Sequence, residues 1–69
     1  GYDSYWKGAA FQHAIREQIG AETYLAALRT LIQEYGGSSV SRQEFQALLE
    51  RVSGQSLQAL FDRWLDGAP

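Results

Sequence analysis

Side chains able to carry out chemistry are few in these 69 residues, and they lie apart. His13 is the single histidine and there is no cysteine. Glu17 follows His13 by one helical turn, so one imidazole and one carboxylate could share a helix face. That falls short of the three or four protein ligands a zinc site takes, and a polar pair on a helix surface or at an interface is the plain reading. The serines concentrate at helix caps and turns, and none is placed beside His13 with an orienting acid for nucleophilic catalysis. Asp62 and Asp66 sit one turn apart near a helix end and read as solvated surface. Gly36-Gly37-Ser38-Ser39 lacks the Lys-Ser/Thr pair of a phosphate loop. What stands out instead is the opening run Ser4-Tyr5-Trp6-Lys7-Gly8-Ala9-Ala10. A phenol with a pKa near about 10 stays protonated at neutral pH and donates a hydrogen bond without carrying charge into a site. From composition alone, Tyr2, Tyr5 and Trp6 read as aromatic packing at a helix start.

The stretch Tyr5-Trp6-Lys7-Gly8-Ala9 resembles an aromatic-x-Lys-Gly-Ala element that opens a helix in the catalytic domain of the zinc-dependent M1 aminopeptidases. Trp6 stands where that family commonly has an acidic residue. The resemblance continues in order through Arg16-Glu17-Gln18-Ile19-Gly20, Tyr24, Ala27-Leu28-Arg29, Phe45, Val52-Ser53-Gly54, Phe61-Asp62-Arg63-Trp64-Leu65 and Gly67-Ala68-Pro69. It implies that Tyr5 is a catalytic tyrosine, its phenol donating to the oxyanion that forms when a peptide carbonyl is attacked. It also implies that zinc, an H-E-x-x-H motif and a distant glutamate belong to the rest of a larger parent, so that this chain alone hydrolyses nothing. The implied partners are the remainder of the parent catalytic domain and, in the parent, a peptide substrate. The fold it implies is similar to the helical subdomain of thermolysin-like zinc peptidases, at the carboxy-terminal end of the catalytic domain. The related M61 glycyl aminopeptidase group shares this layout. Trp64 with Gly67-Ala68-Pro69 resembles the family's exit from that domain, where the tryptophan packs. Lys7 and Arg29 read as solvated or paired at an interface, with no catalytic part. The alternative is a non-catalytic helical interaction or packing module, with Tyr2, Tyr5 and Trp6 as a contact patch.

Composition narrows the partners further. A formal net charge of -2 and basic residues scattered singly leave no electrostatic footprint for nucleic acid. No run approaches the roughly 18 apolar residues of a membrane span. Hydrophobic content of 45% is too rich for disorder, while a single unit of 69 residues buries only about 60% of its unfolded surface.

The elements that must position these residues are helices separated by glycine. We read an all-α unit of four helices, over about 4–19, 21–35, 42–53 and 56–65, arranged as two helical hairpins within one domain, 1–69. Asp3 or Ser4 would cap the first, Gly20 would close it in the left-handed conformation, and Phe11, Ile15 and Ile19 would form its apolar face. Gly8 inside that helix costs roughly 0.5–1 kcal/mol relative to alanine, which suggests a second backbone packed close by. The second helix carries the broadest apolar stripe, Tyr24, Leu25, Leu28, Leu31, Ile32 and Tyr35, and is expected to be the most buried. Ser41-Arg42-Gln43-Glu44 is a capping box, with Val40 placed to staple onto Phe45. The third helix presents Phe45, Leu48, Leu49 and Val52. Ser56 is expected to cap the fourth, which presents Leu57, Leu60, Phe61, Trp64 and Leu65.

Overall fold

The computed structural model describes residues 6–66. The elements within this span are helical: α1 (Ala9–Ile19), α2 (Ala21–Tyr35), α3 (Arg42–Ser53) and α4 (Gln58–Phe61), the last continuing as a π-helical turn, Asp62–Asp66. No strand occurs among the described residues. The fold is the expected all-α unit of four helices, with α2 packed against both α1 and α3.

Gly20 makes the corner between α1 and α2 in a single residue. Its N–H donates to the Arg16 carbonyl at 2.8 Å and its carbonyl accepts from the Tyr24 N–H at 2.9 Å, so it closes one helix and opens the next. The backbone there has φ 92° and ψ 150°, an extended mirror-image conformation open to glycine rather than the left-handed helical one anticipated. Nothing lies within 4 Å of where a Cβ would stand, so the requirement is conformational and not steric.

α3 begins as its capping box dictates. The Ser41 hydroxyl accepts from the Glu44 N–H at 3.0 Å, and the Glu44 carboxylate accepts from the Ser41 N–H at 2.9 Å. Gly54 closes the helix in the left-handed conformation, φ 71° and ψ 16°. The start of α4 departs from expectation, because Ser56 does not cap it. α4 starts at Gln58 with no side-chain cap, and the Leu57 N–H instead donates to the Glu50 carboxylate of α3 at 2.7 Å. Gln46 donates to the same carboxylate at 3.2 Å and to Gln58 at 3.1 Å. A long side chain from the neighbouring helix therefore ties down the start of α4 at Leu57, in place of a local hydroxyl capping its first turn.

The core is assembled from Trp6, from Phe11, Ile15 and Ile19 of α1, from Phe45, Leu48 and Leu49 of α3, and from Leu57, Leu60 and Phe61 at α4. Val52, Trp64 and Leu65 pack half-buried against it. α2 is not the most buried helix, contrary to expectation: Ala27 is its one buried residue. At about 100° per residue, Leu25 and Ile32 lie on one line along α2 and on the opposite side from Ala27. They are 52% and 66% exposed, while Tyr24, Leu31 and Tyr35 turn inward. The stripe is wider than the surface α1 and α3 offer, so its outer edge stays in solvent. Arg51 of α3 reaches across to both carboxylate oxygens of Glu34 on α2, at 2.8 Å each, and this pairing raises the Arg51 pKa above its ordinary value.

These placements separate three kinds of substitution in chemical denaturation. Leu49→Ala should cost about 2–5 kcal/mol through a buried cavity. Gly20→Ala should cost about 1–3 kcal/mol through backbone strain alone. Ile32→Gln should change stability by less than about 0.5 kcal/mol.

Candidate functional site

Tyr5, the candidate catalytic residue, and the caps Asp3 and Ser4 lie outside the described residues. The structure does describe the mount to which Tyr5 is joined, beginning at Trp6. The first helix had been expected from residue 4, yet α1 starts at Ala9, and Trp6 and Lys7 form a short 3₁₀ turn. Gly8 is the residue flanking the helix, extended at φ -67° and ψ 151°, where its carbonyl accepts from the Gln12 N–H at 3.0 Å. Glycine is well accepted at this position, so the penalty of a helix-interior glycine does not arise.

Trp6 is 7% exposed. Its ring lies on Phe45 of α3, centroid to centroid 5.0 Å at 33°. Lys7 stays exposed and carries its ammonium over the same indole at 5.3 Å, a cation–π contact. The Trp6 carbonyl is held from the other side, accepting from the Gln12 side-chain amide at 2.8 Å. The oxygen of that amide in turn accepts from the Tyr24 hydroxyl of α2 at 2.6 Å. Burial pushes the Tyr24 phenol above its ordinary pKa of 10.0, against a smaller opposing pull from Arg16, so at neutral pH it is the donor this arrangement needs.

The sequence reading did not single out Gln12. Helices meeting at a one-residue corner would face each other at equal distances from Gly20, whereas Gln12 stands eight residues before it and Tyr24 four after. No local spacing rule links the two.

The other candidates are dispersed. His13 Nε2 sits 3.3 Å from Glu17 Oε1, with both side chains more than half exposed. Asp62 is exposed and accepts from the Gln58 amide at 2.8 Å. Arg29 is exposed. Among the described residues no group of three or more His, Cys, Asp or Glu side chains could hold a metal ion. No helix among them is long and apolar enough to cross a membrane.

A small helical unit with an anchored aromatic segment leading into α1 is the class that the architecture defines. The family model described as Peptidase family M1 domain matches residues 2–64. Aminopeptidase M1-D and Aminopeptidase M1-C of Oryza sativa subsp. japonica are each 34% identical over 61 residues, which is 88% of this chain and 7% of each relative. Aminopeptidase M1-A of the same organism is 33% identical over the same extent. No solved structure matches. The chain belongs to peptidase family M1, and it spans about 7% of the length of the relatives it matches.

The raised Tyr24 pKa has a definite sign. A pKa higher in the folded state than in the unfolded one gives stability that is complete below the unfolded value and lost as pH rises through the folded one. The stability difference between the native chain and Tyr24→Phe should therefore be constant up to about pH 9 and change only above about pH 10, measured by denaturant unfolding across that range.

Proposed function

We propose that the chain is the carboxy-terminal helical part of the catalytic domain of an M1-type zinc aminopeptidase, where it closes the active-site cleft and carries Tyr5. The match over residues 2–64, which takes in the Tyr5-Trp6-Lys7-Gly8-Ala9 run, is the observation that carries this reading. On it the fold corresponds to the helical subdomain of thermolysin-like peptidases. The residues present do not fit zinc: one histidine, no cysteine and scattered carboxylates cannot supply a ligand set. In this reading the metal and its ligands belong to the rest of the peptidase, and the 69 residues alone hydrolyse nothing. The exposed edge of α2, Leu25 and Ile32 with Leu28 half-buried beside them, supports a chain that packs against more protein than is present here.

The part assigned to this chain's own residues is charge stabilisation. As a peptide carbonyl becomes tetrahedral, its oxygen gains negative charge, and the Tyr5 phenol donates a hydrogen bond that strengthens with that charge. The phenol is neutral, so it meets the bare substrate without a desolvated ion of its own. The buried Trp6 beside it supplies a fixed point of departure for the segment.

Tyr5→Phe in the aminopeptidase carrying this segment should lower kcat by about 10²- to 10³-fold with KM little changed, as removal of an oxyanion donor does. Hydrolysis of an aminoacyl-anilide reads this out, and unchanged turnover would sink the assigned role. The isolated chain should release no anilide even with zinc added.

A further inference from the structure

We propose that Gln12 and Tyr24 are positioning residues for Tyr5, acting through the Trp6 carbonyl; the proposal rests on the catalytic reading of Tyr5 given above. The Trp6 carbonyl is one peptide unit beyond Tyr5, and holding it together with the Trp6 ring fixes the Trp6 Cα and amide nitrogen, the atoms through which Tyr5 is joined to the fold. Trp6 is held at two points, ring and carbonyl, so rotation about no single bond releases both. Its ring is buried on Phe45 at 5.0 Å, and its carbonyl is gripped by the Gln12 amide at 2.8 Å.

The grip has a direction. Flipping the Gln12 amide would set its oxygen against the Trp6 carbonyl, acceptor to acceptor, so the nitrogen must face Trp6 and the oxygen must face α2. That oxygen is occupied by the Tyr24 hydroxyl at 2.6 Å, which leaves the phenol as donor and removes the amide's freedom to turn. Each group is used in its neutral form, and each is part-buried, where water competes less for the same bonds. The two bonds run from α2 through α1 to the turn before it, joining the mount of Tyr5 to a helix that otherwise contributes one alanine to the buried core. Gln12 and Tyr24 touch no substrate in this proposal; their effect passes through the backbone.

Two measurements test it. In the 69-residue chain, Tyr24→Phe and Gln12→Leu should each shift the Trp6 carbonyl ¹³C resonance while circular dichroism stays helical; an unmoved resonance in folded variants overturns the relay. In the aminopeptidase carrying the segment, either substitution should lower kcat for an aminoacyl-anilide by about 5- to 100-fold with KM within about twofold, the scale on which misplacing a catalytic group acts. The deciding comparison is with Tyr5→Phe. If Gln12 acts through Tyr5, then Gln12→Leu should lower kcat less than about twofold further once the phenol is gone. A Gln12→Leu loss that multiplies in full with the Tyr5→Phe loss, or no loss at all, overturns the positioning role while leaving the role of Tyr5 intact. Turnover untouched by Tyr5→Phe overturns the reading underneath, and this proposal with it.

Discussion

A run of aromatic rings holds the structure together. Trp6 meets Phe45 at 5.0 Å, Phe45 meets Phe61 at 6.5 Å, and Phe61 stands edge-on to Phe11 at 5.0 Å and 86°. Trp64 completes the series at 5.7 Å from Phe11. One ring comes from the segment before α1, one from α1, one from α3 and two from α4 and its π-helical continuation. Aromatic side chains remove about 150–250 Å² each from water, which suits a unit too small to bury area by bulk. The tilted and edge-on geometries also give each contact a preferred orientation, so the rings locate the helices as well as bind them.

α2 stands outside that series and is attached by other means. Gly20 turns it sharply back along α1, Ala27 lets its backbone lie close to the core, and Tyr24 and Glu34 reach to Gln12 and Arg51 on the two flanking helices. The result is a helix with an inward face fixed by a few polar bonds and small contacts. Its outward edge of Leu25 and Ile32 stays exposed.

Helix number, the glycine boundaries, the capping box at Ser41 and the apolar faces of α1 and α3 were legible in the sequence, because each is written in spacings of three or four residues. So was the family, from an ordered series of short motifs. What escaped were features settled between helices. The apolar stripe of α2 centres on Leu28, but the helix turns inward toward Ala27, a small residue beside the stripe, and leaves Leu25 and Ile32 at the far edge exposed. Ser56 has the right chemistry for a cap, but α4 starts one residue later than that cap requires, with Leu57 flanking it and held by Glu50 of α3. The first helix reads as continuous from residue 4, since nothing local announces that the Gln12 side chain binds back to the Trp6 carbonyl and leaves Gly8 outside the helix. Tyr5 is a candidate through resemblance alone and lies outside the described residues, while nothing in the sequence pointed to the Gln12–Tyr24 pair.

The seat of Trp6 has a consequence for the order in which the chain can assemble. Its ring rests on Phe45, a residue about forty positions further along, so the loop between them must close before the seat exists. A helix such as α1 can form from its own neighbourhood, but the segment ahead of it can only wait. During synthesis the aromatic opening would emerge early and find its place late, after α3 has docked. The same dependence runs in reverse: a fluctuation that lifts α3 away removes the floor beneath Trp6, even with every bond within α1 intact. Local order at the amino-terminal end of this unit is thus a report on its long-range packing.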